Sequence, residues 1–216
     1  MELINPYNFS LLKSVDNKLV DDSGTVFPKI RGVIRIVDGS NYTDNFGFQW
    51  NKFQKTQIDR EKKDCLISKI RFFAETNWDP LSLKNQNLLE VGCGAGRFSQ
   101  VVLSNTKANL YSIDFSSAVE ANYRNNKEYK NRIQIFQASI YAMPFQNNSF
   151  DKVFCLGVLQ HTPNFKLSIE SLSEKVSTGG ELVIDFYPVN GWWTKINAKY
   201  ILRPWLKRVD HKKLFS

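Results

Sequence analysis

Residues 88–98 read LLEVGCGAGRF, an apolar run followed by three glycines at alternate positions. The run Leu88–Val91 predicts a short buried strand, and Phe98–Leu103 predicts a helix after it. Glycines between a strand and a helix let the backbone approach a ligand, and the helix N-terminus offers free N–H donors. The dinucleotide pattern G-x-G-x-x-G fails, because Arg97 stands where its third glycine would be. The stretch therefore predicts a ligand-binding turn, with a purely structural tight turn as the alternative.

The chain downstream alternates between strand and helix patterns. Four further strands are predicted at Asn109–Ile113, Ile133–Gln137, Lys152–Leu156 and Glu181–Phe186. Helices are predicted at Ser116–Lys127 and Phe165–Val176, and a turn at Thr178–Gly180. Strands separated by helices of this length indicate a parallel sheet with helices on both faces. The predicted fold class is therefore α/β, a doubly wound, mainly parallel Rossmann-like sheet.

The part of the chain before this sheet divides at about residue 58. Residues 1–58 are turn-rich, with a strand or hairpin predicted within Val26–Val37 and an aromatic cluster within 46–53. This N-terminal appendage either docks its aromatic cluster on the main core or forms a lid over an active site. From residue 59 the pattern becomes helical. One apolar helix face is predicted to consist of Leu66, Ile67, Ile70, Phe73 and Ala74.

The positive charge is concentrated at the C-terminal end. The formal net charge is +8 at pH 7, and residues 192–216 hold seven basic residues against one acidic residue. Residues 1–191 therefore share only +2, which argues against a general nucleic-acid groove. The main domain is predicted to span 59–191. The basic, aromatic segment 192–216 is predicted to be helical, and it either docks as a solvated helix or makes peripheral membrane contact.

Composition excludes several classes of protein. With 42% hydrophobic and 23% charged residues, the chain is not globally disordered. No run approaches the roughly 18 apolar residues of a membrane-spanning helix. Three cysteines and two histidines indicate neither a disulfide framework nor a His/Cys metal site, so no metal is expected. The N-terminus lacks the layout of a signal peptide, and the expected location is cytoplasmic.

The pattern Glu90-x-Gly92-x-Gly94-x-Gly96 resembles the first motif of the class I S-adenosylmethionine-dependent methyltransferases, in particular the methyltransferase type 11-like group. Asp114 ends the second predicted strand, 22 residues after Gly92. The segments QASIYAMPF at 137–145 and CLGVLQHTP at 155–163 resemble later segments of that family. The resemblance covers about residues 60–190. It implies S-adenosylmethionine as the cofactor and S-adenosylhomocysteine as its product.

The resemblance also implies roles for individual residues. The implied cofactor site consists of Glu90, Gly92, Cys93, Gly94, Gly96, Asp114, Phe115, Ser139, Ile140 and Leu156. The glycines lie under the methionine part of the cofactor, and Glu90 lies near its ammonium group. Asp114 binds the ribose hydroxyls, and Phe115 flanks the adenine. Ser139 stands where the family usually has aspartate, which weakens one adenine hydrogen bond without threatening the assignment.

The acceptor side of the site is less specific. His161 follows the fourth predicted strand and is the candidate general base, with a backbone-bonded loop residue as the alternative. Gln160, Tyr187 and Trp50 are candidates for the acceptor pocket. The predicted function is methyl transfer to the oxygen or nitrogen of a small molecule. The alternatives are a non-catalytic module that binds a cofactor or partner, and an RNA methyltransferase with a basic surface around its cleft.

Two departures from the family concern the ends of the chain. Residues 191–216 contain no clear pair of β-runs, so the sheet is expected to lack its last two strands and to leave the fifth as an exposed edge. Three explanations are open for this edge: the chain is shortened, a strand from Val26–Val37 covers the edge, or a second copy pairs with it in a homodimer. Residues 24–50 more weakly resemble a zinc-ribbon-like leader, but they contain no cysteine to bind a metal.

Overall fold

The computed structural model of the chain describes residues 1–37, 51–52, 58 and 66–186. The strands are β1 Leu3–Ile4, β2 Leu11–Val15, β3 Lys18–Val20, β4 Val26–Ile30, β5 Val33–Arg35, β6 Asn87–Val91, β7 Asn109–Asp114, β8 Ile133–Gln137, β9 Phe150–Cys155 and β10 Val176–Ile184. The α-helices are α1 Ile67–Thr76, α2 Arg97–Asn105, α3 Val119–Asn126 and α4 Phe165–Ser173. Two 3-10 helices span Lys127–Arg132 and Leu159–His161.

The strands form one sheet in the order β1-β2-β3-β4-β5-β8-β7-β6-β9-β10. All pairs from β5 to β10 are parallel, whereas β1 to β5 form an antiparallel meander. The five strands predicted from sequence are present, and the α/β, Rossmann-like fold class is confirmed. The chain runs outward from β6 to β8 and then returns to place β9 on the other side of β6. Ligands bind outside the carboxyl ends of such sheets, at the point where the strand order reverses.

Alternation along β6 divides the core between the two faces of the sheet. Leu89 belongs to a buried cluster that contains Phe145 and Phe150, whose rings meet edge to face with centroids 5.0 Å apart. Leu88 faces the other way and packs in a second cluster around Phe72. Both faces of the strand are therefore fixed before it reaches the glycine turn.

The helix α1 buries a different face from the one predicted. Its buried residues are Ser68, Phe72 and Thr76, whereas Ile67 and Ile70 are 61% and 67% exposed. Phe72 is fully buried against the rings of Trp78, Phe98 and Phe154, and on the same face Ser68 accepts a hydrogen bond from Arg97 Nε at 2.9 Å, a contact to the helix after the glycine turn. The prediction was wrong because it counted apolar side chains and could not foresee these contacts.

The predicted turn at Thr178–Gly180 lies inside β10 instead. The register against β9 shifts between Val176 and Glu181, which makes this part of the strand irregular. Gly179 has a φ of 79°, and a Cβ on Gly180 would lie 2.7 Å from the carbonyl oxygen of Asp151. Glycines within a strand mark a bulge or a close backbone approach, and both occur here.

The N-terminal meander joins the sheet at the β8 edge, through the parallel pair β5–β8. A strand from Val26–Val37 therefore does not cover β10, which lies at the opposite edge of the described sheet. This position excludes the explanation that a strand from Val26–Val37 covers the edge of the fifth predicted strand, which is β10. The expected absence of the last two strands and the boundary at residue 58 stay predictions.

Glu120 of α3 attaches the β4–β5 hairpin to the main domain. Its carboxylate accepts hydrogen bonds from Arg31 at 2.9 Å and from Arg35 at 2.8 Å. The Arg35 side chain is only 10% exposed, and it also donates to Gln137 Oε1 at 2.7 Å. Removing one partner of an ion pair with a buried member costs more stability than removing one partner of an exposed pair, because the other charge stays buried without compensation.

Replacing Glu120 with alanine is expected to lower the free energy of unfolding by about 1–2 kcal/mol, because Arg35 loses its carboxylate while it stays buried. Urea denaturation measures the change. The control is Asp22→Ala, which removes the partner of Lys13 in a pair that is 67% exposed on both sides and should change stability little. Equal losses in the two variants would contradict the assigned role of Glu120.

Some predicted features lie outside the described residues. These are the aromatic cluster at 46–50 and 53, with Trp50, and the segment 192–216. Within the described ranges, no helix combines the length and the apolar character needed to cross a bilayer.

Candidate functional site

The turn between β6 and α2 has the conformation that its glycines predict. Gly92, Gly94 and Gly96 have φ values of 80°, 51° and 86°. The Gly92 and Cys93 N–H groups donate to the carbonyl oxygen of Ile113 at 2.8 and 3.0 Å, which ties the turn to β7. A Cβ at residue 92 would overlap the Val158 side chain, in the loop after β9. Glycine therefore brings three chain segments together at the carboxyl edge of the sheet.

Asp114 ends β7 beside this turn and binds it directly. Its Oδ2 accepts a hydrogen bond from the Gly94 N–H at 2.8 Å. Its Oδ1 accepts from the N–H and the hydroxyl of Ser116 at 2.8 and 2.6 Å. Burial raises the pKa of Asp114, while the bonds from Ser116 and Gly94 act in the opposite direction. The carboxylate of Asp114 thus shapes the turn, and its contact with a ribose stays a prediction.

Glu90 lies beneath the turn and is 3% exposed. Its carboxyl accepts hydrogen bonds from the hydroxyls of Ser99 and Ser112, the latter at 2.8 Å. Asn122 of α3 donates to Ser99 Oγ at 2.9 Å and extends the buried network. Burial raises the pKa of Glu90 from an ordinary value of 4.5 to about 7. In the structure Glu90 links β6 to α2 and β7, and its contact with a cofactor ammonium stays a prediction.

The segment after β8 carries the residues implied at the adenine edge. Ser139 Oγ accepts a hydrogen bond from the Tyr141 N–H at 3.2 Å, so its hydroxyl stabilises a local turn. Ile140 is 9% exposed and packs in the core. The Phe115 carbonyl accepts a hydrogen bond from Gln137 Nε2 at 3.1 Å, which connects the ends of β7 and β8. The two implied adenine segments are therefore neighbours.

The remaining candidates differ in how deeply they are buried. Leu156 is 8% exposed and packs in the cluster around Phe72, so its side chain belongs to the core. Gln160 and His161 are exposed in the 3-10 helix that follows, at the carboxyl side of β9. Cys93 is 5% exposed, and burial raises the pKa of its thiol well above the ordinary value. Cys93 therefore acts as a small packing residue in the turn.

Two residue groups near the site were missed. Asp185 follows β10; its carboxylate accepts a hydrogen bond from the Gly157 N–H and another from Arg71 Nη2 at 2.7 Å. An acidic residue at the end of a predicted strand, as with Asp114, was the available signal. The hydroxyl of Tyr141 contacts Asn164 at the start of α4 and donates to its carbonyl oxygen at 3.1 Å. No local sequence signal indicates this second contact.

Two acceptor-pocket candidates, Trp50 and Tyr187, lie outside the described residues. The structure joins Gly94 to Asp114 by a hydrogen bond and Gly92 to Ile113, the residue before Asp114. Phe115 follows Asp114 and contacts Gln137 at the end of β8. The structure does not test the contacts that any of these residues make with a ligand.

Comparison with known proteins gives three findings. The family model described as "Methyltransferase domain" matches residues 89–184. A tRNA U34 carboxymethyltransferase from Nautilia profundicola is 28% identical over 112 residues, 51% of this chain and 37% of that protein. One from Alteromonas mediterranea is 30% identical over 132 residues, 55% of this chain and 39% of that protein. These matches thus span less than two fifths of either relative's length.

A solved structure shares the fold. A protein of Methanococcus maripaludis, assigned as an S-adenosyl-L-methionine-dependent methyltransferase, superposes with a TM-score of 0.56 at 15% identity. The superposition covers 83% of each chain. Together with the glycine turn and the strand order around it, these findings show that residues 89–184 match a methyltransferase domain and that the chain has the fold of S-adenosylmethionine-dependent methyltransferases.

Proposed function

We propose that this chain is an enzyme that transfers the methyl group of S-adenosylmethionine to a hydroxyl or amine of a small molecule. The proposal rests on the contact between the glycine turn after β6 and the carboxylate that ends β7. The Gly94–Asp114 hydrogen bond of 2.8 Å joins them at the switch point of the sheet. The ends of β7 and β8 that flank this contact carry the residues implied at the adenine.

The residues at this edge fit the cofactor chemically. Val158 fills the space that a side chain at Gly92 would take, so the turn is packed there without one, and we propose that its backbone lines the place of the methionine part. Asp114 supplies the charged acceptor for two ribose hydroxyls. Phe115 and Ile140 are proposed to flank the adenine, and Ser139 to accept a weak hydrogen bond from its amine.

The chain's own task in the reaction is mainly orientation. When bound, S-adenosylmethionine supplies an electrophilic methyl group on a sulfonium and leaves as S-adenosylhomocysteine once the acceptor has taken the methyl carbon. Holding the acceptor in line with the breaking C–S bond contributes up to about 7–11 kcal/mol. His161 is proposed to take the acceptor's proton, because it lies exposed just after β9 and imidazole titrates near neutral pH. Gln160, Trp50 and Tyr187 are proposed to line the acceptor pocket.

A tRNA acceptor is the second candidate. The observation that favours it is that the relatives from Nautilia profundicola and Alteromonas mediterranea are both named tRNA U34 carboxymethyltransferases. Against it stands the net charge of only +2 on residues 1–191. RNA binding draws much of its affinity from neutralised phosphates, so a nearly neutral body favours the small molecule.

Titration of the folded chain with S-adenosylhomocysteine in a calorimeter is expected to show one saturable site. The turn and Asp114 are formed in the described structure, so binding does not require the site to fold first. No heat of binding up to millimolar ligand, in a sample that circular dichroism shows to be folded, would refute the proposal.

The acceptor is identified by transfer of a radiolabelled methyl group from S-adenosylmethionine in fractionated cell extract. Label that stays in the acid-soluble fraction supports the small-molecule acceptor. Label in acid-precipitable material that ribonuclease releases supports tRNA instead and overturns the first choice.

A further inference from the structure

A second cavity lies between the N-terminal meander and the main domain, and no predicted cofactor residue lines it. Its volume is about 480 Å³, within the range of small-molecule sites. One wall comes from β3 to β5, and the other from the end of α3, the following 3-10 helix and the start of β8. The start of β8 is the amino end of that strand, whereas Asp114 lies at the carboxyl end of β7, its parallel neighbour. The cavity is therefore at the opposite end of the sheet from the glycine turn.

The rim of the cavity is basic. Lys18, Lys29 and Lys127 line it, together with a single carboxylate, that of Asp16. Among the residues that the structure describes, none of these three ammonium groups forms an ion pair or a side-chain hydrogen bond. Three lysines at one small concave site repel one another and attract an anion with several charged oxygens. Their charge is not neutralised within the described fold.

Apolar side chains and one aromatic ring form part of the cavity wall, beside neutral polar residues such as Asn17 and Gln134. Leu19 and Ile34 line it from the meander, and Tyr123 lines it from α3. The Tyr123 ring lies against Gly32, where a Cβ would overlap it, so the hairpin turn fixes the ring in the wall. The Glu120 ion pairs with Arg31 and Arg35 hold the same hairpin one turn earlier on α3. The wall is thus built from both parts of the chain and is held at two points.

We propose that this cavity binds a nucleotide-type ligand, with its phosphate at the lysines and its planar base against Tyr123 and the apolar side chains of the wall. Lysine recognises phosphate as a compact point charge, and aromatic side chains stack on every base. A free nucleotide and the backbone of a single-stranded RNA both present this chemistry. The site is independent of the methyl-transfer reaction and does not require its acceptor to be RNA.

The test compares three probes in the absence of S-adenosylmethionine: uridine monophosphate, inorganic phosphate and a fluorescent single-stranded RNA of about 12 nucleotides. The variant is Lys29→Ala/Lys127→Ala. Its matched control is Lys84→Ala/Lys107→Ala, which removes two exposed lysines that are close in the fold, because Asn85, the residue after Lys84, donates its N–H to the carbonyl oxygen of Lys107. Both variants change the net charge equally.

We expect the wild-type chain to bind uridine monophosphate or the RNA more tightly than inorganic phosphate. The Lys29/Lys127 variant should lose at least about tenfold in affinity, and the control less than about twofold. For RNA, the magnitude of the slope of log affinity against log salt concentration should fall by about 0.7 for each cavity lysine removed. If uridine monophosphate and the RNA bind with similar affinity, the ligand of the cavity is a free nucleotide. If only the RNA binds, the ligand is a nucleic-acid backbone.

Several outcomes overturn the proposal. Equal losses in the two double variants would show that net charge alone drives binding. Binding of no probe at millimolar concentration, in a sample that binds S-adenosylhomocysteine, would refute the cavity site while leaving the proposed function intact. Circular dichroism and thermal unfolding of both variants confirm that any loss is not caused by unfolding.

Discussion

Replacing Asp114 with alanine is expected to weaken the binding of S-adenosylhomocysteine at least about 100-fold. The proposed ribose contact consists of two hydrogen bonds to a charged acceptor, each worth about 1.5–3 kcal/mol, and about 1.4 kcal/mol corresponds to a factor of ten. The structure adds a second reason. The Gly94 N–H and both donors of Ser116 lose their acceptor, so the turn itself becomes less well positioned.

The two contributions are separable by variants around the same carboxylate. Asp114→Asn keeps an oxygen for Ser116 or Gly94 and is expected to retain more affinity than Asp114→Ala. The matched control is Asp151→Ala, because Asp151 Oδ2 accepts the Asn87 N–H at 2.8 Å at the amino end of β6, away from the turn. This control should lower stability without changing affinity in calorimetric titration. Unchanged affinity in Asp114→Ala would place the ribose site elsewhere.

The sequence predicts most of the parallel sheet because its strands are strongly patterned. Leu88–Val91 and Ile133–Gln137 are short apolar runs between turn signals, and the structure forms strands there. The N-terminal meander was not predicted in detail, since β2 and β4 are mostly exposed and bury few apolar side chains. Its position at the β8 edge comes from the parallel pair β5–β8 and from the contacts of Arg31 and Arg35 with Glu120, all between residues more than 80 positions apart.

In the candidate site, too, features that depend on neighbouring residues were predicted, and contacts between residues far apart in the chain were not. Glycines at alternate positions after an apolar run are a local signal, and they predicted the Gly92–Gly96 turn, whose glycines have positive φ. Asp114 was implied by the resemblance to a known family. Asp185 and Arg71 lie 114 positions apart, and their 2.7 Å contact follows only from how the helix α1 packs. Pattern arguments also fail for α1 itself, which buries Phe72 in the second core cluster and leaves Ile67 and Ile70 exposed.

The buried carboxyl of Glu90 is expected to make stability depend on pH. Its pKa is about 7 in the folded chain because burial disfavours the charged form, and its ordinary value is 4.5. Between these two values the folded state holds the proton more tightly than the unfolded chain. The free energy of unfolding therefore falls as the pH rises through this window, by up to about 3 kcal/mol, and the loss is complete above pH of about 7.

The measurement is the difference in unfolding free energy between the wild-type chain and Glu90→Gln, taken from urea denaturation at several pH values from 5 to 8. Glutamine keeps the shape and an acceptor for Ser99 and Ser112 but cannot ionise, so the wild type should lose stability relative to it as the pH rises. The matched control is Glu181→Gln. Bonds from Lys152 and Trp78 lower the pKa of Glu181, so its contribution is lost only at acid pH and the difference should stay flat in this range.

The comparison of the wild-type chain with Glu90→Gln also tests whether Glu90 contacts the cofactor ammonium. A positive group next to Glu90 favours its charged form and lowers its pKa, so saturating S-adenosylhomocysteine should reduce the pH dependence of the wild-type chain. If Glu90 only joins β6 to Ser99 and Ser112, the ligand should not change how the difference in unfolding free energy between the wild type and Glu90→Gln varies with pH. A flat difference from pH 5 to 8 without ligand would instead mean that the carboxyl is already ionised in the fold. Its network of hydroxyls would then offset the cost of burial more fully than the raised pKa implies.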